Sequence, residues 1–386
     1  MPIIRSGVQY SGKWTKSQQM QAIAAGTWTG IPAPELYVWG YNNQGQLGLG
    51  DTTNRLSPVQ VGTLNNWAKS SSGDRAAIAT KTDGTLWSWG NNGFGNLGLG
   101  DTTNRSSPVQ VGALTTWAQA SAGDDYVLAV TTDGKLYAWG YNSRGQVGTS
   151  NTTIYSSPVQ VGSLTNWAQV SAGFKHSIAL KTDGTIWTWG ENNVGQLGHN
   201  NTTNRSSPVQ VGANTYWASV FAGYNDSIAL TTDGKIYAWG YNGSGQLGLG
   251  DTTNRSSPVQ VGALTTWEKI GPGTFHCLAI KTDGTLWVWG AGGSGRLGLG
   301  DTTARSSPVQ VGALTTWAQA SGGGYHSLGT LTDGTLYSWG ENRRGQLGLG
   351  DTTDRSSPVQ VGSLTTWGPL PEMFNEASIV VNALTT

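Results

Sequence analysis

In the stretch Thr182-Asp183-Gly184-Thr185-Ile186-Trp187-Thr188-Trp189-Gly190 an Asp-Gly pair stands before a short apolar run. Asp-Gly readily supplies the positive φ angles of a primed hairpin turn, so Thr185–Trp189 reads as a strand returning beside His176–Leu180. Ile186 falls on one face of that strand, and Trp187 and Trp189 fall on the other. Apolar groups on both faces call for a sheet sandwiched between two others rather than one with a face in water. Upstream, Trp167–Ala172 reads as a first strand that turns at Gly173. Downstream, the glycine-punctuated loop Gly190–Ser206 leads into Ser207–Val211 through Pro208. Proline donates no backbone hydrogen bond, which places this fourth strand at the outer edge.

The same unit returns at a fixed interval of fifty residues. Trp-Gly falls at Trp39, Trp89, Trp139, Trp189, Trp239, Trp289 and Trp339, and Ser-Pro-Val-Gln-Val-Gly returns from Ser57 to Ser357. A fixed period of this length marks a repeat architecture. Small sheets with two apolar faces can satisfy one another by closing radially. The expectation is therefore an all-β, seven-bladed β-propeller of four-stranded antiparallel blades over residues 29–366, with the Trp-Gly tryptophans as inter-blade core. Residues 1–28 form an amino-terminal arm and residues 367–386 a carboxy-terminal tail, in which Ser378–Val381 reads as a strand that joins the ends of the ring.

Composition narrows the chemistry. Charged residues are 11%, with 22 basic and 22 acidic side chains, so no general attraction for nucleic acid is expected. With 58 glycines and 19 tryptophans the chain joins turn chemistry to aromatic packing. No window is apolar enough for a membrane helix or a signal peptide, so membrane insertion is not expected. Cys277 stands alone, which leaves no disulfide and no cysteine pair for zinc or redox work, and reads as a core thiol.

The string Leu180-Lys-Thr-Asp-Gly-Thr-Ile-Trp-Thr-Trp-Gly-Glu-Asn-Asn-Val-Gly-Gln-Leu-Gly198 resembles the regulator of chromosome condensation repeat family, and the likeness covers most of the chain. That resemblance implies a seven-bladed propeller. It leaves function open, because the family spans nucleotide-exchange factors, ubiquitin-ligase modules, a plant ultraviolet receptor and a secreted β-lactamase inhibitor. A basic tail, a projecting wedge hairpin and a Gly-Trp-Arg-His-Thr string are all missing, which argues against exchange activity and light sensing. The leader before the repeats also resembles short leaders in virion and tail-associated proteins of marine bacteriophages.

Comparison of the seven copies with one another locates their differences. They lie in the turn after the first strand, as in Phe174-Lys175, Tyr224-Asn225, Thr274-Phe275 and Gly324-Tyr325, and in the loop after Trp-Gly, at Tyr41 to Glu341 and Gln44 to Arg344. In a four-stranded blade both connections emerge on one side of the disc, whereas Thr-Asp-Gly and Val-Gly-Ala-Leu-Thr-Thr-Trp repeat on the other. A specific partner needs a locally individual surface with aromatic and charged anchors. The expected partner-binding residues are Tyr141, Arg144, Phe174, Lys175, Tyr224, Phe275, Tyr325 and Arg344.

His176, His276 and His326 occupy one repeat position, but Ala76, Tyr126 and Asp226 fill it elsewhere, so hydrogen bonding is preferred to a metal site. Asp51, Asn151 and their equivalents read as turn caps rather than calcium ligands. No nucleophile motif, phosphate loop or singled-out carboxylate pair is present, so no catalytic residue, cofactor or metal is assigned. The leader carries Ile3, Ile4, Val8, Tyr10 and Trp14, apolar groups without a place in the repeat, which read as an assembly anchor. The resulting expectation is a non-enzymatic interaction propeller of a bacteriophage virion surface or tail. It would bind other virion or tail proteins through the arm and a host surface protein or glycan through the variable face. The alternatives are a bacterial regulatory protein-binding module, cytoplasmic or extracellular, and a glycan-binding propeller.

Overall fold

A computed structural model describes residues 34–63, 66–368, 370–373 and 377–382. The expectations for the arm, including Ile3, Ile4, Val8, Tyr10 and Trp14, lie outside the described residues. In the repeat quoted above, Trp167–Ala172, His176–Lys181, Ile186–Gly190 and Arg205–Gln210 form an antiparallel sheet in sequence order. Register runs from Leu180↔Ile186 to His176↔Gly190, so the chain turns at Asp183-Gly184 as expected, but only Gly184, at φ +77°, is left-handed, so the turn is not the primed one. The second strand is buried at all six positions, as a sheet covered on both faces requires. Pro208 lies on the fourth, edge strand.

Equivalent four-stranded sets begin at Trp67, Trp117, Trp217, Trp267 and Trp317. Each Trp-Gly indole is buried and donates to a carbonyl of the preceding sheet: Trp189 Nε1 to Gln146 O at 2.8 Å, and Trp89 Nε1 to Gln46 O at 2.9 Å. The bond from Trp39 Nε1 to Gln346 O, at 2.9 Å, joins the last of these repeats to the first and closes the ring. A buried indole N–H needs an acceptor, and this one fastens neighbouring sheets together. The contact is close enough to demand glycine beneath the ring. Gly148 has φ +83°, and a Cβ there would stand 2.7 Å from Trp189 Nε1.

The expectation of seven four-stranded blades is corrected: among the described residues there are six blades, five of them four-stranded sheets and one a four-stranded set extended by a fifth strand. In the remaining place of the ring, among the described residues, stands a sheet of three strands, Arg55–Gln60, Glu35–Gly40 and Ala377–Asn382. The last of these pairs antiparallel with the second from Glu35↔Asn382 to Gly40↔Ala377. The departure begins after Trp367, where the sequence leaves the repeat and Pro371 offers no amide donor. Glu372 and Met373 instead pair in parallel with Ser71 and Ser72 of the neighbouring blade, making that sheet five-stranded.

Candidate partner-binding face

Both variable loops emerge at one end of each sheet because the His176↔Gly190 register puts the ends of the second and third strands side by side. Backbone bonds from Glu191 N to Lys175 O (2.8 Å) and from Tyr141 N to Asp125 O (2.9 Å) tie the two loops together. Within the longer loop, buried Asn192 donates from Nδ2 to Asn201 O and Thr203 O and accepts from Leu197 N, which fixes its path. Asp51 and Asn201 accept from the backbone N–H two residues on, at 2.8 and 2.9 Å, the turn-capping role read from the sequence.

The outer circle of this face consists of contacts between the fourth loop residue of one repeat and the first of the next. Phe94 packs on Tyr141 with ring centroids 4.7 Å apart, Arg144 Nε lies 3.1 Å from Glu191 Oε1, and Arg344 Cζ sits 4.7 Å over Tyr41. Asn91 Nδ2 donates to Gln44 Oε1 at 3.4 Å, and Ser294 Oγ to Glu341 Oε2 at 3.4 Å. Individuality at these two loop positions is thus partly mutual fitting between neighbours. Tyr141, Arg144 and Arg344 belong to this circle, not to a single patch with the other candidates.

Nearer the axis the remaining five do converge. Phe174 stacks on Tyr224 at 4.0 Å and 18°, Tyr224 meets Phe275 at 5.3 Å, and Phe275 meets Tyr325 at 6.4 Å, giving a half-buried arc across four consecutive blades. Lys175 Nζ lies 4.5 Å over Phe174 at one end of the arc. At the other end Arg296 Cζ lies 4.6 Å over Tyr325, held by its Nη1 bond to Gly324 O at 3.2 Å. The turns of the two preceding blades are acidic. Asp74 pairs with Arg75 at 3.0 Å, whereas Asp124 and Asp125 make no ion pair or side-chain hydrogen bond among the described residues. Burial, then the nearby Asp125 and Asp74 charges, push the Asp124 carboxyl up to about 7. Burial, then Asp124 and Asp74, push the Tyr224 hydroxyl up to about 12, which puts these acids within electrostatic reach of the arc.

Beneath the turns lies a buried polar belt. His176 Nε2 meets Ser227 Oγ of the next blade at 3.1 Å, His276 Nε2 meets Ser327 Oγ at 2.8 Å, and Ser177 Oγ donates to Tyr126 Oη at 3.1 Å. Burial draws His176 down to about 4, which keeps its imidazole neutral near pH 7. Asp226 fills the same repeat position, and burial pushes its carboxyl well above the ordinary range. Each ring packs under a glycine: a Cβ on Gly173 would stand 2.4 Å from His176 Cε1. Among the described residues no group of three or more His, Cys, Asp or Glu is placed to hold a metal ion.

Sequence reading missed Arg296, and it placed Asp74, Asp124 and Asp125 in the variable turns of this face without choosing them as partner-binding residues. Arg296 left a signal, since its repeat position otherwise holds an amide, from Gln46 and Asn96 to Gln346. The acids stood among the variable turns, but their proximity to Tyr224 arises between blades and has no fixed spacing in sequence.

The geometry has relatives. A profile of the RCC1-like domain matches residues 112–377, and profiles of the regulator of chromosome condensation (RCC1) repeat match residues 35–79 and 83–130, and residues 69–96. No curated protein sequence matches the chain. Among solved structures, human WBSCR16 superposes with a TM-score of 0.82 at 22% identity, covering 92% of this chain and 100% of that one. Prp20p from Saccharomyces cerevisiae, a structure described with its binding to Gsp1p and histones, gives 0.81 at 22% identity over 92% and 93% of the two chains. Yeast RCC1 (Prp20) bound to Kap60 gives 0.81 at 21% identity over 99% and 97%. At these identities the superpositions speak for the fold. With its profile spanning more than half of the sequence, the chain belongs to the RCC1-like domain family.

Proposed function

We propose that this chain is a non-enzymatic protein-interaction propeller that docks a partner protein on the face carrying both variable loops. One observation carries the reading: four consecutive blades contribute Phe174, Tyr224, Phe275 and Tyr325 to a continuous, half-exposed aromatic arc there. The opposite face repeats nearly the same Thr-Asp-Gly and Val-Gly-Ala-Leu residues around the ring. Aromatic anchors flanked by Arg and Lys are the groups that dominate protein interfaces. The binding of Gsp1p and histones described for Prp20p, and the complex of yeast RCC1 with Kap60, support protein docking as the use of such a disc. The test places a photo-crosslinking side chain at Phe275 or, on the opposite face, at exposed Leu314. Crosslinking of one defined protein from Phe275, abolished by Tyr224→Ala, supports the reading, and crosslinking confined to Leu314 refutes it.

The setting we propose is a bacteriophage virion surface or tail, with residues 1–28 as the assembly anchor and the variable face turned toward the host. It is supported by the resemblance of the leader and by the apolar Ile3, Ile4, Val8, Tyr10 and Trp14 within it. Mass spectrometry of purified particles tests it, and absence of the chain from them favours the alternative of a bacterial protein-binding module.

A further inference from the structure

We propose that the aromatic arc receives a lysine or arginine side chain from a basic segment of the partner, seated on Tyr224 and Phe275 with its charge directed toward Asp124 and Asp125. The proposal rests on the variable face being the docking face and adds the chemistry of what docks.

Charge complementarity selects this occupant. The two end rings of the arc already hold cations of the chain itself, Lys175 over Phe174 and Arg296 over Tyr325, while no cation of the described residues covers Tyr224 or Phe275. An aromatic face attracts an ammonium or guanidinium most strongly where water is partly excluded. Asp124, within electrostatic reach of the Tyr224 hydroxyl, and its neighbour Asp125 are half-buried without an ion pair among the described residues, a costly condition that an incoming cation relieves. An acidic segment would meet Asp74, Asp124 and Asp125 with like charge. A purely apolar one would bury the carboxylates further and add no positive charge to the distant ones of Lys175 and Arg75. The groups acting on Asp124 from the packed turns are Asp125, Asp74, Lys175 and Arg75, with the Tyr224 hydroxyl across the arc. Protonation of Asp124 as pH falls through about 7 therefore removes one of the charges that hold the cation.

The experiment titrates the intact chain with a labelled peptide alternating lysine and glycine, the same peptide acetylated on every lysine, and a glutamate–glycine control, read by fluorescence anisotropy. The lysine peptide is expected to bind more weakly at about pH 6 than at about pH 8, and acetylation is expected to cost about tenfold or more. Asp124→Asn with Asp125→Asn, and separately Phe275→Ala, are expected to lose about tenfold, while Leu314→Ser on the other face leaves binding unchanged. Cooperative thermal unfolding of each variant shows that the loss is not misfolding. Equal binding of the acetylated peptide, stronger binding of the glutamate peptide, or unchanged affinity in the double Asn variant overturns the proposal. If the peptides fail while crosslinking at Phe275 succeeds, the cationic inference falls and the docking face stands; if crosslinking fails as well, both fall.

Discussion

Replacing Asp124 by Asn should stabilise the protein at alkaline pH, an unusual outcome for the loss of a charged surface group. The folded carboxyl titrates at about 7 against an ordinary value of 3.8, with burial as the leading cause and the Asp125 and Asp74 charges next. The native state thus holds a proton that the unfolded chain has released, and stability contributed at this site declines as pH rises from the unfolded value through about 7. The gap corresponds to about 4 kcal/mol if fully expressed, and partial exposure to solvent reduces it to about 2 kcal/mol. Urea unfolding of wild type and Asp124→Asn at about pH 5 and about pH 8 reads the difference. Near pH 5 the unfolded carboxyl has already ionised, so the variant gains about a third of the full difference; near pH 8 it gains all of it, about 1 kcal/mol more than at pH 5. Buried His176, His276 and His326, all shifted downward, act in the opposite sense as pH falls below about 6.5, so the comparison is made between the two proteins at each pH. If the variant is no more stable at pH 8 relative to wild type than at pH 5, the carboxylate is not strained and the argument for an external cation loses its energetic basis.

Other expectations test the scaffold. Trp189→Ala should cost about 3–5 kcal/mol in chemical denaturation, because it removes a fully buried ring and its bond to Gln146 O. Gly173→Ala should destabilise through the 2.4 Å approach to His176 Cε1, and pairing it with His176→Ala should recover part of the loss, measured as a non-additive double-mutant cycle. Removing residues 377–386 deletes the strand paired with Glu35–Gly40 and should abolish a single cooperative thermal transition, with expansion visible in small-angle scattering. Arg296→Gln, which restores the amide of the other repeats, should free the Tyr325 ring, change stability by about 0.5–1 kcal/mol and leave the blades intact by circular dichroism.

What the sequence alone determined was whatever repeats locally. Asp183-Gly184 forces a turn by its backbone preferences, Ile186 and Trp189 demand cover on both faces, and Pro208 excludes a central strand. These choices within one stretch of chain recur at every fifty residues. They yielded the strand order, the inter-blade tryptophans and the side of the disc on which individuality gathers. Tertiary structure decided what depends on groups meeting across blades. The sheet assembled from Glu35–Gly40, Arg55–Gln60 and Ala377–Asn382 joins segments from opposite ends of the chain, so its strand count could not be read from any single repeat. The candidate site divided for the same reason. Arg144 and Arg344 found partners on the next repeat in Glu191 and Tyr41, while Phe174, Tyr224, Phe275 and Tyr325 met as an arc beside Asp124. A side chain's covalent neighbours set its local conformation, but the charge and rings it faces after ring closure come from other blades, as Glu191 does for Arg144 and Tyr41 for Arg344.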